Sequence, residues 1–150
     1  MYQITRFATL DIDLFFNLDE YRIIEDFGYG DISGIGKVCG YQILFFYISD
    51  NVEALSIDEV IDNTFLCDKA NQILDFLGFD FKIGQPFELT NQFNHNYRFK
   101  DHIYEEHMRY YYVFDNILIT LGINLEGVLV SFEMVKDQCI INNRLETFKS

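Results

Sequence analysis

Three short runs rich in β-branched and aromatic residues, close together near the C-terminus, constrain the fold of this chain most. They are RYYYVF at 109–114, ILITLGI at 117–123 and VLVSFEMV at 128–135, separated by Asp115-Asn116 and by Asn124 to Gly127. Residues of these types favour strands, and short connectors containing Asn, Asp or Gly are typical of hairpins. The pattern predicts a three-stranded antiparallel meander.

Two earlier segments predict a buried strand and a long helix. YQILFFYI at 41–48 is an apolar run bounded by turn residues, as expected of a central strand. Residues 57–77 carry apolar side chains at helical spacing, preceded by Ser56-x-x-Glu59, which matches a capping box, and followed by Gly78. We therefore expect a helix over about 57–77.

The remaining segments predict shorter elements. YQITRF at 2–7 suggests a short strand, 11–26 mixes helical and strand-like features, and Pro86 suits the first turn of a short helix over about 86–96. The expected fold class is α+β, in one domain spanning 1–150. It has an antiparallel sheet that includes the C-terminal meander, with one long helix and shorter helices packed on it.

The glycine-rich stretch DFGYGDISGIGKVCG at 26–40 resembles a phosphate-binding loop only superficially. A Walker A loop requires glycine where Asp31 stands and Ser or Thr where Val38 stands, and a dinucleotide fingerprint requires glycine at Cys39. A strand pattern, not a helix, follows the stretch. We interpret it as a glycine-rich hairpin leading into the strand at 41–48.

Charge favours a basic partner. The net charge is −13, and residues 1–80 carry −11 of it while residues 81–150 carry −2. Such a field repels nucleic acid and anionic membranes, and it accelerates association with a basic protein surface. We therefore expect no direct nucleic-acid or membrane binding.

Cysteine usage and the N-terminal segment indicate a soluble cytoplasmic protein. Cys39, Cys67 and Cys139 are an odd number with wide spacing, which argues against a disulfide framework and against a zinc site of paired thiolates. MYQITRFATLDIDLFF lacks a basic region followed by a long apolar run. We expect reduced, partly buried thiols.

Catalytic and metal chemistry find little support in the residue patterns. In HIYEEH, His102 and Glu106 would share one helix face, His107 would point away, and His95 could join them only through the tertiary fold. A polar connection leading to the meander is the favoured alternative. We expect no catalytic residues, no cofactor and no metal, and hence a binding protein rather than an enzyme.

The tyrosine run at the start of the first meander strand admits two interpretations. Tyr110 and Tyr112 would share one face of the strand and Tyr111 the other. Exposed tyrosines are recurrent interface anchors, whereas buried ones pack in the core with the hydroxyl at its rim. The sequence leaves both alternatives open.

FKIGQPFEL at 81–89 followed by the meander RYYYVFDNILITLGINLEGVLVSFEMV resembles the closing half of small bacterial immunity proteins of contact-dependent and polymorphic toxin systems. The resemblance covers about residues 81–135. It implies a small, acidic, cytoplasmic protein without catalytic machinery, which neutralises a cognate toxin, in many cases a basic nuclease, by occluding its active site.

The resemblance and the charge together predict a 1:1 complex with a basic toxin domain. The residues expected to contact it are acidic side chains and tyrosines: Asp19, Glu20, Asp58, Glu59, Asp62, Tyr110, Tyr111 and Tyr112. Two alternatives remain. One is another acidic inhibitor, such as a phage-encoded DNA mimic, and the other is a small metal-dependent or ligand-binding enzyme.

Overall fold

An antiparallel sheet of eight strands dominates the computed structural model, which describes residues 4–87, 97–104 and 107–146. The strands are β1 Arg22–Tyr29, β2 Ile32–Cys39, β3 Ile43–Ile48, β4 Asn51–Asp58, β5 Phe99–Tyr104, β6 His107–Phe114, β7 Ile117–Asn124 and β8 Leu129–Val135. They lie side by side in the order β1-β2-β3-β4-β8-β7-β6-β5.

This order makes the sheet from two four-stranded meanders, β1 to β4 and β5 to β8, joined where β4 pairs with β8. Two of the hairpins turn through pairs of residues with positive φ, Ser49-Asp50 and Asp115-Asn116. Such turns match the twist of the flanking strands. The meander predicted from 109–135 is present as β6, β7 and β8, and the strand predicted at 41–48 is confirmed as β3.

The predicted fold class is nevertheless wrong. We expected one long helix and several shorter helices packed on an antiparallel sheet, whereas the described chain is mostly a single eight-stranded sheet with two α-helices. The α-helices of the described chain are α1 Thr64–Phe76 and α2 Gln138–Glu146. α1 begins at Thr64 rather than near 57, since Ile57 and Asp58 belong to β4 and pair with β8. Its N-cap is Asn63, whose Oδ1 accepts a hydrogen bond from the Leu66 N–H at 3.0 Å.

Two smaller predictions also fail. The strand expected at 2–7 is instead a 3₁₀ helix over Ile4–Thr9, and two further 3₁₀ turns, Ile12–Leu14 and Leu18–Glu20, precede β1. Pro86 forms an isolated antiparallel bridge with Val128 rather than opening a helix. Residues 88–96, the rest of that predicted helix, lie outside the described residues.

The glycine-rich stretch forms strands, as predicted. β1 and β2 pair around Gly30, which has a φ of +61°, and β2 then pairs with β3. Gly36 allows the Phe27 ring to lie against the neighbouring strand, because a Cβ at this position would stand 2.7 Å from the ring. These glycines serve the close packing of β1, β2 and β3.

The sheet has apolar residues on both faces, and each α-helix covers one of them. On the α1 face, buried side chains of the central strands pack under α1 and under the N-terminal segment; they include Phe45, Leu55, Ile57, Leu121, Phe132 and Met134. On the α2 face a smaller cluster forms under Ile140 and Ile141; its sheet members include Phe46, Ala54, Leu118 and Val135. Ser56, Thr120, Ser131 and Glu133 lie on the same face beyond this smaller cluster.

Candidate functional site

An acidic hollow lies where β4 leaves the sheet. It has a volume of about 440 Å³ and is lined by Asp58, Glu59, Ile61, Asp62, His107 and Val130. Asp58 ends β4, and Glu59 continues the chain with a φ of +56°, a left-handed conformation that turns it away from the strand direction. Three of the carboxylates predicted to contact a partner are thereby collected on one concave surface, although not on a helix face as expected.

The surroundings of Asp58 disfavour the ionised form of its carboxyl group. Partial burial, followed by the neighbouring Glu59 carboxylate, raises the pKa of Asp58, while the Glu59 N–H and the charges of His107 and Arg109 act in the opposite direction. A cation placed in the hollow would stabilise the ionised form of this carboxylate. The acidic hollow is therefore suited to a basic side chain of a partner.

The other two predicted acidic residues lie elsewhere. Asp19 lines a second surface depression, together with Asp13 and the exposed Leu18, and this depression shares no lining residue with the acidic hollow. Glu20 has a local structural role, because its Oε1 accepts a hydrogen bond from the Asn17 N–H at 2.8 Å. The structure thus does not bring Asp19 and Glu20 into the acidic hollow.

Of the three consecutive tyrosines, two are core residues. Tyr112 is buried on the α1 face, and Tyr111 is buried on the α2 face, where its hydroxyl donates to Asp101 Oδ2 at 3.3 Å. Only Tyr110 is half-buried, with its ring 4.9 Å from that of Tyr97. Both faces of the sheet are covered at Tyr111 and Tyr112 in the free chain, and their contact with a partner stays a prediction.

A second polar depression, which the sequence analysis missed, lies on the α2 face beside the acidic hollow. We call it the hydroxyl groove. Its volume is about 300 Å³, and its polar lining consists of Ser56, Thr120, Ser131, Arg109, Glu133 and Arg144, with Asp58 shared with the acidic hollow.

Strand register brings these side chains together. Ser56 pairs with Glu133, which pairs with Thr120. Two residues further along β4, Asp58 pairs with Ser131. Residues two apart share a face, so both rows point to the side that α2 covers only in part. Alternation in VLVSFEMV, where Ser131 and Glu133 interrupt an apolar run, was the available sequence signal, but the alignment of the strands cannot be read from it.

Two ion pairs flank the hydroxyl groove. Arg109 donates to Asp101 through Nε at 3.0 Å and Nη2 at 2.9 Å. Arg144 forms a two-pronged pair with Glu133, with Nη2 3.0 Å from Oε2, and Glu133 also accepts from the Tyr29 hydroxyl. Both guanidinium groups are therefore electrically balanced where they stand.

Metal and thiol chemistry gain no structural support from the described residues. Within 4–87, 97–104 and 107–146, no group of three or more His, Cys, Asp or Glu side chains is arranged to hold a metal ion. His102 lies exposed on β5, while His95 and Glu106 fall outside the described residues. Burial raises the pKa of the Cys39 and Cys67 thiols, which makes either a poor nucleophile.

Comparison of the chain with models of protein families, with curated proteins and with solved structures gives no significant match in any of the three. No helix in the described part of the chain is long and apolar enough to cross a lipid bilayer.

Proposed function

We propose that this protein is a cytoplasmic immunity protein that binds a basic toxin domain, in the first instance a nuclease, and neutralises it by occluding the active site. The observation that carries the proposal is the acidic hollow, where Asp58, Glu59 and Asp62 meet on a chain of net charge −13. A nuclease cleft binds phosphate through basic side chains, and an acidic surface is complementary to the charge of such a cleft.

An exposed apolar side chain in the acidic hollow supports its assignment as the partner-binding surface. Ile61 lines the acidic hollow and is 41% exposed, which places a large aliphatic side chain among the three carboxylates. Protein interfaces combine a buried apolar centre with charged groups at the rim. Charge would accelerate the encounter, and burial of Ile61 would slow dissociation.

The test starts from the partner. Tagged protein is used to capture partners from its native cells at low and at high salt, and the bound protein is identified by mass spectrometry. The captured domain is then produced separately, its nuclease activity is measured, and its toxicity in a bacterial host is measured with and without the protein described here. We expect inhibition at equimolar ratio and protection of the host.

Charge reversal then tests the surface. Replacing Asp58, Glu59 and Asp62 by Lys is expected to weaken binding at least about 100-fold and to flatten its salt dependence, because close charge pairs at interfaces are worth several kcal/mol together. The matched control replaces Glu25, Asp68 and Asp75, three exposed carboxylates outside the acidic hollow, and changes the net charge equally. Thermal unfolding of both triple variants establishes that they fold.

Equal loss of binding in the two triple variants would mean that net charge alone, not the acidic hollow, attracts the partner. An inactive captured domain, or protection that persists without binding, would contradict the immunity function itself. A partner that duplex DNA displaces from the protein would instead favour the DNA-mimic alternative.

A further inference from the structure

One buried hydroxyl finds no hydrogen-bond partner among the described residues. Thr120 is 6% exposed, lies in β7 and lines the hydroxyl groove, and its Oγ1 makes no hydrogen bond within the described part of the chain. Its neighbours Ile119 and Leu121 point to the opposite face and are buried in the α1-face core. A buried hydroxyl without a partner destabilises the folded state, so its presence among the apolar residues of this strand requires an explanation.

The hydroxyl groove has room for a ligand larger than one water molecule. A water in the liquid occupies about 30 Å³, whereas the hydroxyl groove measures about 300 Å³. Gly122 leaves room for the Ser131 hydroxyl, because a Cβ at this position would stand 2.0 Å from Ser131 Oγ. Space and an unpartnered hydroxyl occur at the same place.

The charges of the groove select the class of ligand. Arg144 is paired with Glu133 and Arg109 with Asp101, so neither brings a net positive charge to the groove. Asp58 at the edge and the net charge of −13 disfavour an anion. The groups best placed to bind a ligand are the hydroxyls of Ser56, Thr120 and Ser131, each of which can both donate and accept.

We propose that the hydroxyl groove binds a small neutral polyol of monosaccharide size, with Thr120 and Ser131 as its hydrogen-bond partners. The hydroxyl groups of such a ligand donate and accept in the same way as the groove's own, and they would satisfy Thr120 Oγ1 without a buried charge. This binding does not depend on the toxin partner, because the groove lies on the sheet face and shares only Asp58 with the acidic hollow.

The test uses NMR titration of the full chain with D-glucose, myo-inositol and N-acetyl-D-glucosamine, and with inorganic phosphate and L-arginine as charged comparators. We expect saturable shifts of the backbone amides near Thr120 and Ser131 with at least one polyol, and no saturable shift at Thr120 with either comparator. Three variants accompany it: Thr120→Val, which removes the hydroxyl and keeps the shape; Thr120→Ser, which keeps the hydroxyl; and Ser33→Ala, an exposed control on β2.

Thr120→Val should weaken polyol binding at least about tenfold and, without ligand, raise Tm by about 2–4 °C, because an unsatisfied buried hydroxyl is removed. Thr120→Ser and Ser33→Ala should retain binding. A fall in Tm for Thr120→Val would show that the hydroxyl has a structural partner, and this would overturn the proposal. Absence of saturable polyol binding, or binding of phosphate or arginine alone, would overturn it equally.

Discussion

At the scale of single residues, Asp58 lies where β4 ends and where the two polar depressions meet. It is the last residue of β4, and it lines both the acidic hollow and the hydroxyl groove. Its raised pKa means that the folded protein binds a proton at Asp58 more tightly than the unfolded chain does. The stability contributed by protonation is fully present below the ordinary pKa of aspartate and is lost as the pH rises through the higher pKa of the folded state.

Replacement of Asp58 by Asn should therefore stabilise the free protein near neutral pH. Asn retains an acceptor for the Glu59 N–H but removes the charge, so we expect Tm to rise by about 1–2 °C at pH 7. The gain should disappear as the pH is lowered below the usual pKa of aspartate, where the wild-type carboxyl is also neutral. Thermal unfolding across pH measures this, and Glu126→Gln, an exposed turn carboxylate, is the control. A gain that does not depend on pH would contradict the assigned cause.

The sequence was sufficient to group residues on one surface where they are close in the chain and share the same charge. Asp58, Glu59 and Asp62 are close in the chain and do share a surface, so local acidity was sufficient to group them. Tyr111 and Tyr112 could not be assigned, because their burial in the two core clusters depends on the tertiary fold and not on the local sequence. Thr120 was overlooked because one hydroxyl within an apolar run gives no signal until the register of the strands is known.

At the scale of elements, α1 offers a direct test of where the helix begins. Asn63 accepts the Leu66 N–H at 3.0 Å, so Asn63→Ala should cost about 1 kcal/mol of the free energy of unfolding. Asn63→Asp should restore most of it, since aspartate caps equally well. Urea unfolding measures both variants. If Glu59→Gln lowered the free energy of unfolding as much as Asn63→Ala does, the helix would instead begin at the capping box formed by Ser56 and Glu59.

The connection after α1 depends on one amide side chain. Asn71 in α1 accepts the Ile83 N–H at 2.8 Å through Oδ1 and donates to the Ile83 carbonyl at 3.3 Å through Nδ2. Asn71→Ala leaves two backbone groups beside the core without these partners, and we expect a loss of about 1–3 kcal/mol. The neighbouring Gln72, which is exposed, provides the control Gln72→Ala. Equal urea midpoints for the two variants would contradict this role.

The meander was predictable from sequence because its strands are adjacent in the chain and its turns are short. The start of α1 was not, since Ile57 fits the spacing of a helix as well as that of a strand. Pairing with β8 places Ile57 opposite Phe132 and decides between the two. The N-terminal segment was mistaken for a strand because its apolar residues pack across the sheet as 3₁₀ turns, and short runs of this kind carry no distinct period.

At the scale of the whole molecule, charge opposes folding. The net charge is −13, and the described side chains form three ion pairs. Raising the salt concentration from about 20 mM to about 500 mM should screen the repulsion and increase Tm by several degrees at pH 7. Near the isoelectric point of about 4.4 the increase should shrink. A Tm that does not respond to salt at pH 7 would show that repulsion is already relieved by the fold.

The joint between β4 and β8 has a consequence for how the chain reaches its native state. Every other ladder among the described strands links neighbours in sequence, whereas this one places Ala54 opposite Val135. Each meander can nucleate quickly from local contacts, but the two must then find each other across a long intervening chain, and this closure sets the folding rate. Until it occurs, β4 and β8 are unpaired apolar edges, the surfaces through which two nascent copies would exchange halves or aggregate.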